Sequence, residues 1–145
     1  MSMLSQDEAD KLINLLKHSL ADVVAFPKAA HKTTFDVKSN DTKDLFTVDI
    51  YRSKIRSNKI NFGARVKING DVLLELHLNP SATHINPDGT RISGNHWHIY
   101  KENYGRRYAF PADDITSDDF VENTIRFLEK FNVVDKPNVI YQLEL

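Results

Sequence analysis

The spacing of apolar residues changes from a helical period to a strand period along this chain of 145 residues. In the N-terminal part, Ser5 and Glu8 form a capping-box pattern, and apolar residues then recur three or four positions apart. This spacing predicts a helix over about residues 5–22. Lys17 would lie on the polar side of this helix, and Pro27 bars its continuation.

From Thr33 onward, apolar and polar residues alternate, which is typical of strands that bury one face. Four strands are predicted, around residues 35–37, 46–51, 59–68 and 72–78. Asn69-Gly70 separates the third strand from the fourth and is a strong hairpin signal.

The length of the loop at Gly70 decides which side chains of this hairpin share a face. We predict a three-residue loop with Gly70 in a left-handed bulge, because a one-residue slip would turn the apolar residues to the wrong face. This register pairs Phe62 with Leu76, and it also pairs Val66 with Val72. It places a polar set on the opposite face: Lys59, Asn61, Arg65, Lys67, Glu75, His77 and Asn79.

The C-terminal half continues this pattern after a long loop over residues 79–95. A fifth strand is predicted over residues 96–101 and a sixth over 106–110. Thr116 or Ser117 is predicted to cap a second helix, and residues 139–145 to form a short last strand or a docked tail. The order predicts the α+β class: a curved, mostly antiparallel sheet of five to six strands, with an N-terminal and a C-terminal helix packed on one face. We expect one domain over residues 1–145.

Composition narrows the function classes. A net charge of −1 argues against a general nucleic-acid coat protein, although it leaves room for a local basic site. The absence of cysteine excludes a disulfide framework, a thiolate zinc site and a thiol nucleophile. The chain has no long apolar run, and its acidic amphipathic N-terminus does not resemble a signal peptide. We therefore expect a cytoplasmic protein with no membrane partner.

The segment His96-Trp97-His98-Ile99-Tyr100 combines a histidine pair with aromatic and β-branched neighbours. At strand spacing the two histidines and Tyr100 point to one side, while Trp97 and Ile99 point to the other. The predicted hairpin register adds His77 to the side of the histidines, provided that the fifth strand pairs nearby. One face can then carry chemistry while the other anchors a core.

Several motifs of the chain resemble an uncharacterised family of small bacterial and phage proteins. They are the segment from Leu4 to Leu12, His84-Ile85-Asn86-Pro87-Asp88-Gly89, the histidine segment above, and the run from Tyr104-Gly105 to Ala109-Phe110. In that family a basic residue, an acidic residue, Tyr-Gly and an aromatic-Ala pair follow the histidines, as Lys101, Glu102, Tyr104 and Tyr108 do here. The family pattern often has a proline before the first histidine, where this chain has Asn95. The resemblance implies a bacterial or mobile-element origin and a cytoplasmic setting, without an established activity.

Our preferred sequence-based hypothesis is a nucleic-acid-directed protein, in its sharpest form a metal-independent ribonuclease-like toxin. RNA cleavage needs a base, an acid and a cation, and histidines can supply the first two because they titrate near neutrality. The predicted catalytic residues are His96, His98, His77, Tyr100 and Arg107. The predicted nucleic-acid-binding residues are Lys59, Arg65, Lys67, Lys101 and Tyr104. The hypothesis needs no metal or other cofactor, and its partners are nucleic acid and an antitoxin.

Three alternatives stay open. His96 and His98, with His77 or His84, suit a three-nitrogen metal site. A non-catalytic module, such as a phage inhibitor of bacterial immunity, would bind a bacterial protein through the basic and aromatic residues of the polar face. In the third alternative the histidines only provide hydrogen bonds that order the long loop.

Overall fold

The computed structural model describes residues 4–54 and 59–141. Its helices are α1 (Gln6–Asn14) and α2 (Phe120–Lys130). Its strands are β1 (Lys17–Ser19), β2 (Val23–Phe26), β3 (Lys32–Ser39), β4 (Leu45–Arg52), β5 (Ile60–Val66), β6 (Val72–Leu78), β7 (Thr83–Ile85), β8 (Arg91–Ser93), β9 (His96–Ile99), β10 (Ala109–Pro111), β11 (Val133–Asp135) and β12 (Asn138–Tyr141).

The main sheet has eight strands in the order β10-β9-β6-β5-β4-β3-β1-β11. All its neighbours are antiparallel except β1 and β11, which are parallel. The α+β class is therefore confirmed, but five to six strands was too few, because β1 and β11 add to the six predicted strands. The sheet also stays open between its two edge strands instead of curling. Two small sheets pair β12 with β2 and β7 with β8.

The first helix is shorter than the sequence pattern predicts. The Ser5–Glu8 capping box is present, but α1 ends at Asn14 and the backbone of Leu15 is extended. The prediction of a helix to residue 22 is wrong because the chain turns into β1, which hydrogen-bonds to β3 and β11. The apolar residues that continued the helical spacing, Leu16 and Leu20, are more than half exposed.

The observed strand pairing confirms that His77 lies on the same face of the sheet as His96 and His98. Phe62 pairs with Leu76, and Gly70 has a φ of 77°, as the bulged loop requires. The register shifts after Ala64, so that Arg65 rather than Val66 faces Val72. On the next strand pair His77 lies opposite His96, and Glu75 lies opposite His98.

Both helices contribute to one hydrophobic core that covers the apolar face of the sheet. Ala9 of α1 and Phe127 of α2 belong to the same buried cluster as the apolar residues of β4, β5 and β6. Trp97 stacks on Phe127 with ring centroids 6.1 Å apart, which confirms that Trp97 points away from the histidines. Within the described residues, neither helix is long and apolar enough to cross a membrane.

The ends of the C-terminal elements differ in detail from the prediction. Asp119, rather than Thr116 or Ser117, caps α2, because its carboxylate accepts hydrogen bonds from the backbone amides of Val121 and Glu122. The predicted last strand forms as β12 and pairs with β2, while residues 142–145 lie outside the described residues. The predicted fifth strand is β9 and ends at Ile99, and the predicted sixth strand is β10 and begins only at Ala109. Residues 101–105 form a turn between them.

Candidate functional site

Four histidines converge on the polar face of the sheet near its β10 edge. His77 on β6 lies beside His96 and His98 on β9, with ring centroids 5.1 Å and 4.5 Å away. The rings of His96 and His98 are 4.9 Å apart. His84, on the β7–β8 hairpin, closes over this group, with its ring 4.9 Å from that of His98. The hairpin thereby helps to bury His96 and His98, which are 4% and 6% exposed.

Each histidine ring contacts one oxygen that can only accept a hydrogen bond. His96 Nδ1 lies 2.8 Å from the carbonyl oxygen of Gly94, and His98 Nδ1 lies 2.7 Å from that of Arg106. His84 Nε2 lies 3.0 Å from the carbonyl oxygen of Arg107. His77 Nε2 lies 3.3 Å from a carboxylate oxygen of Glu75.

These contacts assign the tautomer of every ring. A nitrogen that faces an acceptor must carry the proton, so in each neutral ring the other nitrogen keeps a free lone pair. His77, His96 and His98 each offer a nitrogen such that the three atoms lie within 4.8 Å of one another. Metal-binding histidines have this arrangement, in which one ring N–H donates to a carbonyl or carboxylate while the other nitrogen coordinates.

Glu75 is the charged residue that supports this cluster. Its Oε2 accepts hydrogen bonds from His77 and, at 2.7 Å, from Arg106 Nη2. Its Oε1 is buried and has no hydrogen-bond partner. Burial acts to raise the pKa of Glu75, but the His77 hydrogen bond and the Arg106 charge outweigh it and leave the pKa lowered. Glu75 is therefore a carboxylate at neutral pH.

Burial keeps the two histidines of β9 neutral. It lowers the pKa of His98 to about 4, and the repulsion from a protonated His77 acts in the same direction. Burial also lowers the pKa of His96, although its hydrogen bond to Gly94 opposes this effect. Near pH 7 both rings are therefore neutral: Nδ1–H donates to a carbonyl oxygen, and Nε2 keeps a free lone pair.

Acid should destabilise the metal-free protein through His98. The folded-state pKa, about 4, is below the unfolded value of about 6.5, so the unfolded state binds more protons in between. This part of the stability is complete above pH 6.5 and is lost as the pH falls toward 4, by on the order of 2 kcal/mol. Urea unfolding in chelator at several pH values measures it. If the free energy of unfolding of His98→Gln depended on pH as steeply as that of the wild type, the lowered pKa of His98 would be contradicted.

Two predicted catalytic residues have other partners. The Tyr100 hydroxyl donates a hydrogen bond to the carbonyl oxygen of Leu4 at 2.7 Å, which ties the N-terminal segment to the sheet. The Arg107 guanidinium donates to the carbonyl oxygens of Asn103 and Tyr104 and so stabilises the turn in which it lies. The structure thus brings His77, His96 and His98 together, but it does not bring Tyr100 or the Arg107 side chain to them.

The predicted nucleic-acid-binding residues fall into two groups. Arg65 Nε lies 3.0 Å from Asp49 Oδ2, and Lys67 forms an ion pair with Asp36, so their charges are already compensated. Lys59 is exposed just before β5. Lys101 and Tyr104 lie instead in the turn between β9 and β10, where Tyr104 contacts Tyr108.

Sequence analysis did not assign Glu75 or Arg106 to the site. Glu75 had a usable signal, because it is an acidic residue in an otherwise apolar strand and shares the side of His77. The sequence carries no signal that distinguishes Arg106 from Arg107, because only the path of the turn determines which guanidinium reaches the cluster. His84 was considered only as an alternative metal ligand, and its ring does contact the group.

A family model of unknown function, DUF6978, matches residues 4–133, which include every residue of the histidine cluster. The chain belongs to this family. No curated protein and no solved structure matches the chain. Membership of DUF6978 bears out the resemblance to an uncharacterised family, while the bacterial or phage origin stays a prediction.

Proposed function

We propose that the protein binds a divalent transition metal, zinc most readily, through His77, His96 and His98. The observation that carries the proposal is the arrangement of the rings: each has one nitrogen hydrogen-bonded to an oxygen acceptor, and one nitrogen of each ring lies within 4.8 Å of those of the other two. Imidazole is a preferred ligand of zinc, and a site with three protein nitrogens leaves a fourth position for water or substrate. A metal in such a site activates water and polarises a phosphoryl or carbonyl oxygen.

Glu75 supports the same proposal in two ways. Its hydrogen bond to His77 Nε2 fixes the orientation of that ring, as carboxylate–histidine pairs do at zinc sites. Its carboxylate also places one negative charge beside the cluster, which would offset part of the charge of a dication. The free Oε1 is a buried acceptor that a water or ligand of the site would satisfy.

The metal-dependent reaction is favoured over metal-independent acid–base cleavage. Cleavage by the His96–His98 pair needs one of these two rings protonated near neutral pH, but burial lowers the pKa of both. We propose hydrolysis of a phosphodiester as the reaction. The Arg106 guanidinium is paired with Glu75 through Nη2, but its side chain is 58% exposed and it has further N–H groups for a phosphoryl oxygen. The nucleic-acid-directed hypothesis is kept in this form, and a toxin role with an antitoxin partner stays a prediction.

Metal analysis of untagged protein tests the proposal. We expect about one equivalent of zinc, manganese or iron per chain after purification, and chelation followed by zinc titration should restore about one equivalent with submicromolar affinity. An untagged chain is essential because a histidine tag would bind zinc itself. Hydrolysis of bis(p-nitrophenyl) phosphate should then depend on the metal.

Three outcomes would count against parts of the proposal. No bound metal and no titration would overturn the metal site. Stoichiometric metal with no hydrolysis of the diester, of RNA or of DNA would leave the site and remove the hydrolase. A single bacterial protein captured from lysate, and still captured after His96→Ala with His98→Ala, would favour the non-catalytic interaction module.

A further inference from the structure

We propose that the turn beside the histidine cluster is a platform for single-stranded nucleic acid, on which bases stack and phosphates meet cations. The inference goes beyond the proposed hydrolase, because it concerns a separate binding surface next to the histidine cluster in the chain. The platform consists of three aromatic rings, Tyr104, Tyr108 and Phe110, called the aromatic strip from here on.

The rings of the aromatic strip follow one another along the surface. Tyr104 and Tyr108 have ring centroids 5.9 Å apart, and Tyr108 and Phe110 have centroids 5.4 Å apart. Tyr104 is 37% exposed and Phe110 is 36% exposed, so both ends of the strip reach solvent. Exposed aromatic rings in series are the usual stacking sites for unpaired bases, and stacking tolerates any base sequence.

Two cations border the strip. Lys101 Nζ lies 3.9 Å from the ring centroid of Tyr108, and Arg107 Cζ lies 5.9 Å from that of Tyr104. The nearby Asp88 carboxylate accepts hydrogen bonds from the Tyr108 hydroxyl and from the Thr90 amide, which satisfies it locally. Cations interleaved with aromatic rings complement a phosphate backbone, and this charge complementarity favours a polynucleotide over a neutral apolar partner.

The strip is fixed rigidly to the histidine cluster. The carbonyl oxygens of Arg106 and Arg107, within the same segment, accept the hydrogen bonds of His98 and His84. The Asn86 side chain forms two hydrogen bonds with the backbone of Ala109, which holds β10 against the β7–β8 hairpin. The rings of the strip nevertheless lie on the other side of the sheet, because Phe110 pairs with Trp97 and therefore points, like Tyr108 two residues before it, away from the histidines. Duplex DNA keeps its bases stacked internally and would not offer them to these rings.

Fluorescence anisotropy with labelled oligonucleotides tests the inference. The probes are single strands of about 15 deoxythymidines or uridines and a duplex of equal length, in about 50 mM salt with chelator so that nothing is cleaved. We expect the single strands to bind at least about 5-fold more tightly than the duplex. Tyr104→Ala should weaken binding at least about 5-fold, while Tyr104→Phe, which keeps the stacking ring, should stay within about 2-fold.

Charge variants supply a matched control. Lys101→Gln should reduce the dependence of log affinity on log salt by about one phosphate contact, whereas Lys43→Gln, an exposed lysine in the β3–β4 turn, should change nothing. Equal effects of the two lysine variants would overturn the platform, as would equal binding of duplex and single strand. Capture of a lysate protein that Tyr104→Ala abolishes, with no oligonucleotide binding, would assign the strip to a protein interface instead.

The design separates this inference from the metal proposal. Because binding is measured in chelator, it does not depend on a metal. Stoichiometric zinc without oligonucleotide binding would overturn the platform alone. Oligonucleotide binding without zinc would overturn the metal site alone.

Discussion

Replacing His96 and His98 by alanine should abolish metal binding and leave a folded protein. Both side chains belong to the triad of nitrogens within 4.8 Å, so the double variant keeps only one of three ligands. We expect zinc affinity to fall by at least about 1000-fold, since structural zinc sites owe about 10–16 kcal/mol to four ligands together. Competition with a zinc chelator measures the affinity, and far-ultraviolet circular dichroism with urea unfolding of the metal-free forms verifies the fold.

Two further variants make this series a test of geometry. His84→Ala should lower the affinity by less than about 10-fold, because the ring contacts the cluster but does not belong to its triad of nitrogens. Glu75→Gln should weaken zinc binding about 10- to 100-fold, since glutamine can still accept from His77 but carries no charge. Glu75→Ala, which also removes the hydrogen-bond acceptor of His77, should bind zinc more weakly still. Unchanged zinc binding in the double histidine variant would place the metal elsewhere or nowhere.

The strands were predictable because a period of two forces a choice of face. A register slip at Gly70 would have buried Glu75 and His77 among apolar residues. Because burying these polar side chains is unfavourable, the sequence predicted the bulged loop. That register then brought His77 opposite His96, which is the contact on which the histidine cluster depends. Trp97 was assigned to the core by the same alternation and packs on Phe127.

The rest of the site depends on the paths of loops, which alternation does not determine. His84 reaches the cluster because the β7–β8 hairpin folds back over the sheet, with Asn86 bonded to Ala109. Arg106 rather than Arg107 reaches Glu75 because of the turn over residues 101–105. The fold error has a similar origin, since β1 forms through pairing with β3 and β11, which are remote in the sequence.

Lys17 shows most clearly what local spacing misses. The helical pattern puts it on a polar surface, yet it is fully buried. Its ammonium group donates hydrogen bonds of 2.8–2.9 Å to the carbonyl oxygens of Ile13, Leu15 and Phe131, and it lies 3.9 Å from the Phe131 ring centroid. These carbonyls are at the C-terminal ends of α1 and α2, where unpaired carbonyls and the helix dipoles favour a cation.

Lys17→Met should therefore destabilise the protein by about 3–5 kcal/mol, since each buried carbonyl left without a donor costs about 1–3 kcal/mol, and lower Tm by roughly 10 °C or more. Methionine fills a similar volume but donates no hydrogen bond, so three buried carbonyls would lose their partner. Urea unfolding and thermal denaturation measure the change. Lys11→Met, an exposed lysine on α1, is the matched control and should change the free energy of unfolding by less than about 0.5 kcal/mol. A Lys17→Met protein within about 1 kcal/mol of the wild type would show that these carbonyls find other donors and that the ammonium does not join the helix ends.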